Sequence, residues 1–159
     1  MVCCAGSLYS RQLESGRSSD INLAGQGTSN LEQVPVISIV DDDESVLEGT
    51  KCLIRSLGYN AETFSSAEEF LDSGRVNGTA CLITDVQMPG LSGPELQDRL
   101  IADGYRTPVI LMTAYPEERM RERVLNAGAI GYLSKPFSED RLIECLDKAL
   151  NSHNVRNRG

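Results

Sequence analysis

Five short apolar runs alternate with amphipathic stretches between residues 36 and 150. Val36-Ile37-Ser38-Ile39-Val40 is a β-branched run that stops at Asp41-Asp42-Asp43-Glu44. From Val46 the period changes: Val46, Thr50, Leu53, Ile54 and Leu57 share one helical face, and Gly58 follows as a C-terminal stop. Ala61-Glu62-Thr63-Phe64 predicts a short second strand, and Ser65-Ser66-Ala67-Glu68-Glu69 offers a capping box ahead of Phe70 and Leu71. The third run, from Ala80 to Thr84, leads into Asp85. It is short and bounded by turn residues, as a buried strand is. Ser92-Gly93-Pro94-Glu95 is another capping box with an early proline, on a helix stopping near Gly104. Pro108 to Thr113 is the fourth run, and Pro116 to Ala127 reads as a helix closed by Gly128. Ile130 to Ser134 is the fifth, ending at Lys135-Pro136, and a last helix carries Leu142, Ile143, Leu146, Ala149 and Leu150.

Strict strand–helix alternation predicts an α/β domain with a parallel sheet covered on both faces, and near-continuous apolar strands fit burial on both sides. Residues 1–35 are rich in Ser, Gly, Asn and Gln with no apolar period, which predicts a flexible N-terminal tail. Residues 151–159 are polar and weakly basic, carry the single histidine, His153, and read as a C-terminal tail.

Composition narrows the function. The chain of 159 residues has room for one domain with a proper core. No apolar run reaches the roughly 18 residues of a membrane span. The N-terminus lacks a basic n-region and an apolar h-region, so a cytoplasmic location is expected. Five scattered cysteines, with no Cys-x-x-Cys pair, argue against zinc and against a disulfide framework. The net charge is −8, and residues 36–150 hold 20 acidic groups against 11 basic ones. That balance argues against a nucleic-acid surface.

In a parallel sheet the carboxyl ends of the strands share one edge, where ligands bind. Here strands one, three, four and five end in Asp41-Asp42, Asp85, Thr113 and Lys135. Carboxylates gathered this closely repel by about 4 kcal/mol per pair at 4 Å in an effective dielectric near 20. A divalent cation resolves the repulsion, and an oxygen-only cluster selects Mg²⁺ over zinc. A carboxylate can act as nucleophile toward phosphorus, while an ammonium and a hydroxyl bind the other phosphoryl oxygens. Asp43 reads as a solvated or helix-capping acid.

Four motifs together resemble the receiver domain of response regulators, in particular FixJ-type receivers, over about residues 36–150. They are Val40-Asp41-Asp42, Asp85-Val86-Gln87-Met88-Pro89-Gly90-Leu91-Ser92-Gly93, Thr113-Ala114 and Lys135-Pro136-Phe137. The resemblance implies a flavodoxin-like (CheY-like) doubly wound sheet of strand order 2-1-3-4-5. It makes Asp85 the phosphoacceptor. Mg²⁺ would be held by Asp41, Asp42 (directly), Asp85 and the backbone carbonyl of Gln87. Thr113 and Lys135 would bind the phosphoryl group, Tyr132 would be the switch aromatic, and Lys135-Pro136 would be cis. The donor would be a sensor histidine kinase or a phosphotransfer protein, and the output a downstream protein of unknown identity. A phosphorylation-dependent homodimer through the face of the last helix is one form such contact takes.

FixJ-type regulators carry a helix-turn-helix domain after the receiver, and none is readable before Gly159. The expectation is a stand-alone receiver that signals by protein contact, with no separate substrate turnover. An aspartyl-phosphate enzyme is the competing class, but such enzymes usually place a second acid two residues after the nucleophile, where this chain has Gln87. A receiver that works without phosphorylation is disfavoured because every site residue is present. A flavin-binding relative is disfavoured because Asp41-Asp42-Asp43-Glu44 would repel a phosphate.

Overall fold

The computed structural model describes residues 34–158. The expected N-terminal tail lies outside the described residues, apart from Val34 and Pro35. Five strands form: β1 (Val36–Val40), β2 (Asn60–Phe64), β3 (Cys81–Asp85), β4 (Val109–Thr113) and β5 (Gly131–Ser134). They alternate with α1 (Glu44–Ser56), α2 (Ala67–Asp72), α3 (Gly93–Ala102), α4 (Glu118–Asn126) and α5 (Glu139–Arg158). All pairings are parallel and the strand order is β2-β1-β3-β4-β5. The order reverses between β1 and β3, so a crevice opens at the carboxyl ends of those two strands.

β3 and β4 are buried at every position, as central strands of a doubly covered sheet must be. Alternate side chains feed two separate cores. Ile37, Ile39, Cys81, Ile83, Ile110 and Met112 pack with residues of α1 and α5 on one face. Val40, Leu82, Val109 and Leu111 pack with Phe70 of α2, Leu96 and Leu100 of α3 and Val124 of α4 on the other. Phe64 and Phe70 meet edge to face at 5.2 Å within the second core.

Helix starts follow their caps. Asp43 is the N-cap of α1, its carboxylate accepting from the Ser45 amide at 2.9 Å, which settles the role of that third aspartate. Ser92 and Glu95 form the complete reciprocal box of α3. At α2 the box is modified: Ser66 Oγ accepts from the Glu69 amide, but the Glu69 carboxylate takes the amide and hydroxyl of Ser65.

Three details depart from the sequence reading. The buried face of α1 is Leu47, Thr50 and Ile54, with Val46, Leu53 and Leu57 only partly buried beside it. The α4 helix starts at Glu118 rather than near Pro116, and no side chain caps it locally. The last helix does not end at Leu150; α5 runs to Arg158, through the stretch read as a tail. Residues 151–158 contain neither Gly nor Pro, so no residue in that stretch breaks the backbone ladder.

Candidate functional site

Strand register brings the chemistry together. Asp85 is the last residue of β3, Asp41 follows β1, Thr113 ends β4 and Lys135 follows β5. The Asp41 amide continues the β1–β2 ladder by donating to the Phe64 carbonyl (3.2 Å), and the Lys135 amide donates to the Thr113 carbonyl (2.7 Å). Backbone pairing thus carries beyond the strand ends and fixes both residues before their side chains act. Asp41, Asp42 and Asp85 each offer a carboxylate oxygen, and the three atoms lie within 4.8 Å of one another.

Lys135 Nζ bridges this cluster, 2.7 Å from Asp41 Oδ2 and 2.9 Å from Asp85 Oδ1. Asp41 is almost wholly buried (1% exposed), and its other oxygen accepts from the Asp43 amide at 2.9 Å. That carboxylate is therefore held at both ends. Burial pushes the Asp85 carboxyl above the usual carboxylate range; the hydrogen bond and charge of Lys135 work against that shift, and Asp41 and Asp42 add to it. Burial opposes the charge on Lys135, yet its hydrogen bonds to Asp41 and Asp85 and their negative charges raise it overall. The ammonium is locked in its charged form beside a carboxylate held closer to neutrality than usual.

The oxygen-only donor set, spaced for a single ion, fits a hard divalent cation. Asp42 is exposed and Gln87 stands exposed in the loop after β3, so both are reachable from solvent. Thr113 is buried, and its Oγ1 accepts from the Tyr115 amide at 3.0 Å. Its own O–H is a donor beyond that bond. Tyr132 is half-buried on β5, and its hydroxyl oxygen accepts from the Glu117 amide at 3.2 Å. This bond takes the place of the missing local cap at the start of α4. The Lys135–Pro136 peptide is cis.

A family model described as the response regulator receiver domain matches residues 37–147. The chain belongs to that family. Among relatives of this receiver, the response regulator protein TodT of Pseudomonas putida is 38% identical over 119 residues, covering 75% of this chain and 52% of TodT. The transcriptional regulatory protein FixJ of Bradyrhizobium diazoefficiens is 32% identical over 114 residues, covering 72% of this chain and 56% of FixJ. The chain spans about half the length of both. The solved structure of the response regulator StyR superposes with a TM-score of 0.74 at 40% identity, over 79% of this chain and 64% of that one. Among the described residues, no helix is long and apolar enough to cross a membrane.

Several contacts that shape the receiver's site have no signal in the sequence pattern. A Cβ at Gly93 would collide with the carbonyl oxygen of Asp85, because α3 begins directly against the end of β3. The Gly93 amide donates to the Val86 carbonyl at 3.0 Å and closes the loop between them. Glu68, on α2, reaches that loop from outside: its Oε2 accepts from the Leu91 amide at 2.9 Å. The buried Gln97 of α3 donates from Nε2 to the Val124 carbonyl of α4 at 3.1 Å. Only the glycines of the loop hinted at such closeness, and glycines also serve simple turns.

Proposed function

We propose that this receiver takes a phosphoryl group onto Asp85 from a phosphohistidine of a sensor kinase or phosphotransfer protein. The supporting observation is the Asp41–Lys135–Asp85 bridge at the switch point, with Asp42 beside it. An Asp85 oxygen attacks phosphorus, the P–N bond breaks, and the donor imidazole keeps the electron pair. The product is an acyl phosphate, and hydrolysis by water restores the carboxylate. Lys135, already 2.9 Å from the attacking carboxylate, is placed to follow a phosphoryl oxygen as charge develops there. Mg²⁺, held by Asp41, Asp42, Asp85 and the Gln87 carbonyl, would neutralise the acidic cluster and the phosphoryl oxygens.

The Thr113 hydroxyl donates to the bound phosphoryl group, drawing it away from the Tyr115 amide. Residues 114–117 carry both that amide and the Glu117 amide bound by Tyr132, so a shift of Thr113 reaches Tyr132 through one short loop. The outcome is a population shift in the face built from α4, β5 and α5, read by a partner protein or by a second copy. The chain is its own substrate in this scheme, turns over no other, and works in the cytoplasm.

The test is intact-mass measurement after incubation with acetyl phosphate and Mg²⁺. A gain of one phosphoryl group is expected in the wild type and not in Asp85→Asn; label persisting in the variant refutes the assignment.

A further inference from the structure

The loop between β3 and α3 carries Gln87 and is fastened at two places. Near its base, the Gly93 amide donates to the Val86 carbonyl at 3.0 Å. At its far side, Glu68 Oε2 accepts from the Leu91 amide at 2.9 Å, across 23 residues of sequence. Without Glu68, that amide would have no protein acceptor in the described structure. The neighbouring Glu69 cannot substitute, because its carboxylate is engaged with the amide and hydroxyl of Ser65. The two adjacent glutamates of α2 thus do different jobs: Glu69 closes its own helix start, and Glu68 holds another element.

Gly90 shows how closely the carboxylate is fitted. Its φ is +79°, in the left-handed region, and a Cβ there would stand 2.7 Å from Glu68 Oε2. The loop therefore meets Glu68 with bare backbone. Met88 and Leu91 pack on the second core from the same loop, so its apolar side is anchored while its polar side depends on Glu68.

We propose that Glu68 is a positioning residue for the phosphoryl and metal site. It acts through the Leu91 amide to restrain the loop that carries the Gln87 carbonyl. This rests on the reading of Gln87 as a metal ligand given above. A carboxylate accepting a backbone N–H from a loop reduces the number of conformations from which that carbonyl must be recruited, so its removal weakens the metal more than it slows the chemistry.

The experiment pairs two readouts on the full chain: the Mg²⁺ dissociation constant by titration calorimetry, and amide exchange at Leu91 by NMR. Glu68→Ala is expected to weaken Mg²⁺ binding about fivefold and to speed Leu91 exchange about tenfold, the effect of one lost charge-assisted hydrogen bond. Phosphorylation by acetyl phosphate at saturating Mg²⁺ should stay near the wild-type rate. Glu68→Gln keeps an acceptor for the Leu91 amide and should restore both readouts. Glu68→Asp, which withdraws the carboxylate by one methylene while keeping its charge, should reproduce the weakening and serves if Glu68→Ala folds poorly. Wild-type Mg²⁺ affinity in Glu68→Ala, or a Glu68→Gln as weak as Glu68→Ala, overturns the positioning role. A wild-type chain that binds no Mg²⁺ overturns the metal-site reading as well, which separates the two failures.

Discussion

Asp85 carries opposite demands. The phosphoacceptor role proposed for Asp85 needs an ionised carboxylate, yet this carboxyl lies mostly buried, and burial raises it above the ordinary carboxylate range despite Lys135. An acid whose folded pKa exceeds its unfolded value binds its proton more tightly in the native state. Below the unfolded pKa both states are protonated and nothing is lost; as pH climbs through the folded pKa, stability falls. At neutral pH an ionised Asp85 therefore costs stability. Asp85→Asn should unfold at higher urea than the wild type at pH 7 without Mg²⁺, with the gain fading toward pH 4. A variant that is less stable at pH 7 would mean that the Lys135 ion pair outweighs burial. Lys135 keeps its 2.7 Å contact with Asp41 in either case. The residues of this cluster were legible in the sequence because each follows an apolar run, and parallel strands put those ends on one edge. The bridge itself was not: which carboxylates Lys135 contacts depends on tertiary distances that no periodicity encodes.

Helix–strand contacts are where the sequence says least. Capping residues announced the starts of α2 and α3, since caps act over three or four residues, whereas Asp43 ahead of α1 read equally as a solvated acid. The start of α4 was misread because its first free amide, Glu117, is satisfied by Tyr132 from β5 rather than by a neighbour. The packing of α5 on the sheet is similar. A Cβ at Gly131 would come 2.5 Å from Cys145 Sγ, so β5 accepts this helix only where its strand lacks a side chain. In the sequence, Gly131 lies inside the fifth strand run with nothing beside it to mark the contact. Gly131→Ala should cost about 1–3 kcal/mol, as overpacking does in a core that cannot expand. Cys145→Ala removes the opposing sulfur and should return most of that loss in the double variant. Urea unfolding of the four proteins in a mutant cycle checks it, and independent, additive effects would place the strain elsewhere.

On the scale of the whole domain, the two cores lie on opposite faces of one sheet, with the strands between them. The acidic cluster sits at the carboxyl ends of the neighbouring strands β1 and β3, both of which contribute side chains to each core. The chain is also strongly acidic, −8 overall, with repulsion concentrated at this edge. A ligand that binds only the folded state and relieves that repulsion stabilises every element tied to the strands. Linkage sets the size: at 100 times its dissociation constant a ligand adds about 2.7 kcal/mol, or about 10 °C in Tm for a domain this size. Mg²⁺ should therefore raise Tm by that order, and matched ionic strength from NaCl should raise it far less, because screening acts weakly on the two buried carboxylates of the cluster, Asp41 and Asp85. Asp42→Asn removes an exposed carboxylate from the proposed metal site without disturbing the Asp41–Lys135–Asp85 bridge, so it should abolish the Mg²⁺ shift while leaving the metal-free Tm near wild type. Scanning calorimetry of both proteins, with and without Mg²⁺, decides it. An equal Mg²⁺ shift in Asp42→Asn would move the cation away from this edge, and with it the account of why three carboxylates are gathered there.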